Sequence, residues 1–381
     1  MYNAPLWLSH GSPPDLETCH RFSSLAESPS VNLLVKLPGT FCNYSCAYCF
    51  EHLKKFPNSY QGFVSVDRLE SALGEIRLPV NIVFHGGEPL LYPIDDYRRM
   101  LRTIQKFPNV KYVQVQTNGS LLTQRHVDLF WHEFSSLNVE ISISLDGDKI
   151  SNQLRRDADG GETYEQVLKA YSLLSANGVQ AGLLSVLHRG SIGRCVEYVD
   201  MLSSISNIRF VKLNALHLMD GGQLTKDSIC PTEYMNLACQ IHAEYLKRKL
   251  YVKFPIEPFL GAMQAFRGLD SKYCNFSNRK CNNFICLYPS GKLSLCDSLP
   301  IKDFSFEHFT DRASAVKPLA DMQAGCRECP LIPFCRGGCL GLRYQLRDAP
   351  ELVHDYCVSR LILYRYIGKI LNSHVEDIEI R

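Results

Sequence analysis

The chain has 381 residues, 45% of them hydrophobic and 21% charged, enough apolar material for a core in two or three units and too much for global disorder. Lys and Arg number 41 against 39 Asp and Glu, a formal net charge of +2, so there is no electrostatic case for nucleic acid or an anionic membrane. No run of eighteen apolar residues exists, and the first twenty residues lack a basic n-region and an apolar h-region, so the expectation is a cytoplasmic protein without a membrane span.

In chain order, residues 1–30 are Pro/Ser-rich and read as an N-terminal arm. A strand–helix rhythm starts at residue 31. Buried-strand patterns fall at 31–37, 81–84, 112–116, 140–145, 180–187 and 208–213. Helical patterns lie between them at 66–76, 94–107, 126–137, 163–177 and 193–204, with Asn177-Gly178 as a helix stop. The alternation predicts an α/β fold with a parallel sheet. Six repeats fit a partial (β/α)6 barrel better than a closed barrel of eight, and an open doubly wound sheet is the alternative. The rhythm stops near 215. One helix is expected over 232–250 in a bridging region, 216–273. A cysteine-rich domain follows at 274–365, with a returning helical pattern over 352–372 and a tail at 366–381.

Sixteen cysteines are the anomaly. Three stand at 42, 46 and 49 and nine between 274 and 357, while Cys19, Cys195, Cys230 and Cys239 are scattered and read as small apolar residues. Clustering at short fixed spacings in a reducing compartment argues for metal ligation rather than disulfides. Cys42, Cys46 and Cys49 form C-x3-C-x2-C directly after the first strand. Three thiolates on one tight loop can hold three irons of a [4Fe–4S] cube and leave the fourth open, at the strand end where α/β folds place their chemistry. A zinc site without a local fourth ligand is the bland alternative.

With Tyr48 before the last cysteine, this motif resembles that of the radical S-adenosylmethionine (SAM) superfamily. The resemblance continues at later strand ends: His85-Gly86-Gly87-Glu88-Pro89 is similar to the family's GGEP, Gln116-Thr117-Asn118-Gly119 follows the third strand, and Ser144-Leu145-Asp146-Gly147 follows the fourth. The resemblance covers about residues 31–215. It implies SAM contacts from Tyr48, Gly86, Gly87, Glu88, Asn118, Ser144 and Asp146, with Arg156 on the SAM carboxylate and Arg155 as a competing register. It also implies the chemistry: a reduced cluster cleaves SAM, and the 5′-deoxyadenosyl radical abstracts a hydrogen atom from an unactivated C–H bond.

The second cluster, Cys326-x2-Cys329-x5-Cys335-x3-Cys339 with Cys357, together with Cys281 and Cys296 upstream, resembles the SPASM domain of radical SAM enzymes that act on peptides and proteins. That resemblance implies two auxiliary [4Fe–4S] clusters and three in all. Cys274, Cys281, Cys296 and Cys339 would hold the nearer one, with Cys286 competing for the place of Cys274. Cys326, Cys329, Cys335 and Cys357 would hold the farther one. Asp297, next to Cys296, matches the Cys-Asp pair that supplies a proton acceptor in anaerobic sulfatase maturases; an Asx-turn is the structural alternative. The expected function is oxidative modification of a ribosomally made precursor peptide, first as an intramolecular cross-link, carbon–carbon (cyclophane) or thioether. The second expectation is formylglycine formation from Ser or Cys. A non-enzymatic iron–sulfur electron carrier is the reading from another class. The partners implied are the peptide, a flavodoxin or ferredoxin reductant, and a separate leader-recognition protein. Tyr234, Tyr245, Lys247, Arg248, Lys249 and Tyr251 offer either a peptide groove or an exposed helix face.

Overall fold

The computed structural model describes residues 30–53, 61–278 and 280–371; the expected N-terminal arm, apart from Ser30, and Cys19 lie outside them. Six parallel strands follow one another: β1 (Val31–Lys36), β2 (Val80–His85), β3 (Val110–Thr117), β4 (Val139–Ser144), β5 (Ala181–Leu187) and β6 (Ile208–Ala215). They pair in that same order, with no point where the winding reverses. This decides for the barrel over the doubly wound sheet, which needs such a switch. β9 (Ile256–Glu257) pairs parallel with β6 beyond a small hairpin, β7 (Met219–Asp220) and β8 (Gln223–Leu224). At the other edge β10 (Phe284–Leu287) pairs parallel with β1, followed antiparallel by β11 (Leu293–Ser294) and β12 (Ser305–Phe306). The order ends on β12 and β9, so the barrel is partial.

The strand sequences are apolar on both faces, as strands covered on two sides require. In β1, Val31, Leu33 and Val35 are fully buried in the main core shared with the surrounding helices, while Leu34 joins Val83 and Cys286 in a smaller cluster on the opposite face. Period two therefore aims Lys36 and His85, the last residues of β1 and β2, to that inner side. The outer helices are α1 (Val66–Glu75), α2 (Ile94–Ile104), α3 (Tyr164–Ala176) and α4 (Cys195–Ser204). Ser65 caps α1 through the Arg68 amide, and Gly178 ends the α3 segment at φ +69°, as the Asn-Gly signal predicts. The helix expected over 126–137 is instead a short α turn, a π turn over Asp128–Glu133 and a 3-10 turn. Phe130 packs edge-on against Tyr97 and Trp131, and the Trp131 indole donates to the Val139 carbonyl (2.9 Å), fixing side chains that a regular helix would place differently.

The C-terminal part does not stand apart. Through β10 it extends the barrel sheet, and α5 (Pro231–Lys247) packs on α9, the long last helix (Pro350–Ile370), where His242 meets the Tyr366 hydroxyl at 3.0 Å. Between them lie α6 (Phe259–Phe266), α7 (Arg312–Asp321) and α8 (Leu340–Leu346). The boundary expected at 365 falls inside α9, because that helix's buried face continues to Ile367 and Gly368.

Candidate active site

The loop after β1 carries Cys42, Cys46 and Cys49, and backbone contacts fix it. Gly87 donates to the Gly39 carbonyl (2.9 Å) and Glu88 to that of Phe41 (2.8 Å). The approach is so close that a Cβ on Gly87 would sit 1.9 Å from the Phe41 oxygen, and Gly86 has φ +117°. Those two glycines are thus required by the fit of one strand end against the cysteine loop. Asn118 closes the third side, reaching Asn43 at 2.9 Å and Cys42 Sγ at 3.9 Å. Burial pushes the Cys42 thiol up to about 12 and raises Cys46 as well. Buried thiols of that kind ionise on binding a cationic centre.

Two expected SAM contacts turn out to be internal. Glu88, 1% exposed, accepts from Thr117 Oγ1 (2.6 Å) and the amides of Asn118 (2.7 Å) and Leu90 (2.9 Å), so its side chain clasps the ends of β2 and β3 together. Asp146 is fully buried and accepts from the Tyr48 hydroxyl and the Val186 amide (2.9 Å), so it anchors Tyr48 and the cysteine loop instead of facing a ribose. Tyr48 is itself taken by Asp146 and Arg155. Half-buried Ser144 stays at the end of β4. The arginine register also shifts. Arg156 is half-buried, and its Nε donates to the Gln153 carbonyl (2.8 Å). Arg155 is the buried one, its Nη1 on Tyr48 (3.1 Å) and its guanidinium over the Tyr44 ring, with Nε lacking a partner. An unpaired buried N–H beside the cysteine triplet suits a carboxylate-bearing ligand.

Asp297 sits on the same rim, in a buried charge cluster that sequence reasoning missed. Lys36 Nζ reaches Glu51 Oε1 at 2.5 Å, Asp297 Oδ2 at 3.0 Å and His85 Nδ1 at 3.1 Å, and it lies over the Phe50 ring. Burial works to lower the Lys36 pKa, but the Asp297 and Glu51 carboxylates hold it well above its usual value, so it stays an ammonium. The glutamate, histidine and aspartate atoms converge within 4.8 Å, but the Lys36 ammonium already occupies the centre that a metal ion would take. A lysine closing an otherwise apolar strand, and a glutamate two residues after Cys49, were the available signals.

The auxiliary cysteines fall into two groups by the charges they feel. After burial, Cys339 is the main influence raising Cys274, and Cys339 and Cys274 both raise Cys281; Cys296 senses Asp297, Cys281 and Cys286. Cys286 stays on β10 in the small apolar cluster, so Cys274 is the better placed with Cys281 and Cys339. Cys326 and Cys329 each sense Cys335 and Cys357. The fifteen described cysteines carry no disulfide, and among the described residues no three cysteine sulfurs converge within 4.8 Å. Tetrahedral zinc with 2.3 Å bonds would hold its sulfurs about 3.8 Å apart. Tyr245 is buried, Tyr234 hydrogen-bonds the Leu213 carbonyl, and Lys247 and Arg248 pair with Glu244, so the bridge is a packed helix there and not a groove.

Residues 37–200 match the Radical SAM family, the radical SAM superfamily. Residues 37–200 are therefore a radical SAM domain, and the chain that carries it is an enzyme. The cysteine-type anaerobic sulfatase-maturating enzyme of Clostridium perfringens (strain 13 / Type A) is 25% identical over 367 residues, 89% of this chain and 96% of its own. The serine-type enzyme of Bacteroides thetaiotaomicron is 22% identical over 81% of this chain and 82% of its own. Among solved structures, native anSMEcpe with bound AdoMet has a TM-score of 0.73 at 22% identity, covering 90% of this chain and 99% of that one. Streptococcus suis SuiB bound to precursor peptide SuiA has a TM-score of 0.55 at 16%, covering 83% and 73%. The radical SAM domain excludes the reading as a simple electron carrier. No helix among the described residues is long and apolar enough to cross a membrane.

Proposed function

We propose that this radical SAM enzyme oxidises a side chain of a peptide or protein substrate by two electrons. Cys42, Cys46 and Cys49 would hold the SAM-binding cluster, and the two auxiliary sets would hold one cluster each. When bound, the first cluster and SAM supply hydrogen-atom abstraction from an unactivated C–H bond. The chain's own part is positional and acid–base. Gly86, Gly87, Asn118 and Ser144 line the strand ends, Arg155 offers a free N–H to the SAM carboxylate, and Asp297 accepts the proton that leaves as the substrate is oxidised. The observation that carries this reading is the Asp297 carboxylate, held beside Cys296 by an obligatory ammonium only 3.0 Å away.

The curated relatives favour formylglycine formation within this class; the intramolecular cross-link shares the same hydrogen abstraction. A precursor peptide as partner is supported by the peptide held in the SuiB complex, and flavodoxin or ferredoxin would supply the reducing electron. The test is Asp297→Asn, incubated with SAM and the protein or peptide encoded beside the gene. Product should fall at least about a hundredfold while 5′-deoxyadenosine still forms. Full product formation would remove Asp297 from the reaction. Ser oxidation and cross-linking both remove two hydrogens, so mass alone does not separate them; trapping an aldehyde with a hydrazide does.

A further inference from the structure

Three buried cations stand among the auxiliary cysteines. Lys280 donates to the carbonyls of Asn275 (3.2 Å) and Gly338 (3.1 Å), each next to a cysteine of the nearer set. Arg343 donates to the Gly337 carbonyl (2.7 Å) and reaches Cys357 Sγ at 3.5 Å. Arg360, on α9, is 2% exposed, and its charge acts on the Cys335 thiol. Its guanidinium lies 4.0 Å from the centre of the Phe276 ring, and its Nε and Nη2 have no hydrogen-bond partner. Burying a guanidinium with two unpartnered nitrogens is costly unless something anionic completes it. Cys335 lies among the groups that act on it, together with the Tyr356 and Tyr273 hydroxyls, and a thiolate-bound cluster there would bring negative charge and sulfides able to accept N–H bonds.

We propose that Arg360, assisted by Arg343, sets the reduction potential of the farther auxiliary cluster above that of the nearer one. The proposal rests on the two-auxiliary-cluster reading above. The reduced cluster is one charge more negative than the oxidised one, so a fixed neighbouring cation and its N–H bonds stabilise the reduced form. With both clusters bound, that order would favour transfer of one electron from the reduced nearer cluster to the oxidised farther one, with no proton or bond exchanged. Arg360 and Arg343 act on Cys335 and Cys357, whereas Asp297 acts on Cys296 of the nearer set, so the transfer would run away from Asp297.

The test is a potentiometric titration of the reconstituted full chain followed by electron paramagnetic resonance, with the farther cluster assigned by the signal that Cys357→Ser removes. In Arg360→Met the reduced-to-oxidised ratio of that cluster at fixed potential should fall at least tenfold, a shift of about 59 mV for one electron, with a smaller change at the nearer cluster. Arg360→Lys should stay within about threefold of wild type by keeping the charge. An unshifted potential in an iron-replete Arg360→Met protein, or equal shifts at both clusters, would overturn the proposal. So would loss of the farther cluster's iron from Arg360→Met, which would assign the arginine to assembly. A wild-type protein in which only the farther cluster is missing would instead remove the reading beneath it, and the proposal with it.

Discussion

Lys36 is the residue whose removal the structure penalises most clearly. Its ammonium is 1% exposed and is shared by two carboxylates, Glu51 at 2.5 Å and Asp297 at 3.0 Å, whose side chains are only 4% and 14% exposed. At an effective dielectric constant of about 20, one such pair at 3 Å is worth about 5.5 kcal/mol before desolvation is subtracted. Lys36→Met keeps the length and the apolar contact with Phe50 but leaves two buried negative charges facing each other. Breaking a buried pair in this way costs about 3–5 kcal/mol. With a urea slope of about 3 kcal/mol per molar, the midpoint of anaerobic unfolding followed by circular dichroism should fall by about 1 M or more. Adding Asp297→Asn removes one of the stranded charges, so the double variant should recover at least about 1 kcal/mol over Lys36→Met. A Lys36→Met midpoint near wild type, or no recovery in the double variant, would refute the charge-cluster argument.

Gly87→Ala should lose the irons of the SAM-binding cluster while keeping the auxiliary ones, since its Cβ would collide with the Phe41 carbonyl at 1.9 Å; iron and acid-labile sulfide counts check this. Arg155→Met should weaken SAM binding at least about tenfold, measured by equilibrium dialysis, whereas Arg156→Met should change it little, because the buried unpaired N–H belongs to Arg155, while Arg156 Nε is tied to the Gln153 carbonyl. Burial lowers His242 to about 3, below its unfolded value near 6.5, so the unfolded chain takes up a proton first as pH falls. Stability from this residue is therefore complete above pH 6.5 and is lost on acidification, by about 2 kcal/mol at pH 5. Urea midpoints at pH 7 and 5 should drop less in His242→Gln than in wild type.

Much of the barrel was legible because buried parallel strands leave continuous apolar runs, and the order β1 to β6 simply follows the chain. The segment over 126–137 was not, since its π and 3-10 turns come from tertiary packing of Phe130 and Trp131, which local periodicity does not carry. The same split holds at the site. The cysteine spacings and Gly86-Gly87 show in sequence because loop geometry demands them locally. Glu88 and Asp146 have family-like positions, but their partners, Thr117 and Tyr48, become visible only when strand ends 29 and 98 residues apart are brought together. Lys36, Arg343 and Arg360 were missed for the same reason: a lone cation in an apolar strand or helix shows its purpose only through neighbours distant in sequence.

The central claim is that Cys42, Cys46 and Cys49 hold a cluster that cleaves SAM. Its most direct test is the formation of 5′-deoxyadenosine by the anaerobically reconstituted, dithionite-reduced protein, beside a variant with all three changed to Ala. The account predicts product from wild type and none from the variant, which should lose about four irons and keep those of the auxiliary sets. Equal 5′-deoxyadenosine from both proteins, or a wild type carrying stoichiometric zinc without acid-labile sulfide, would contradict it.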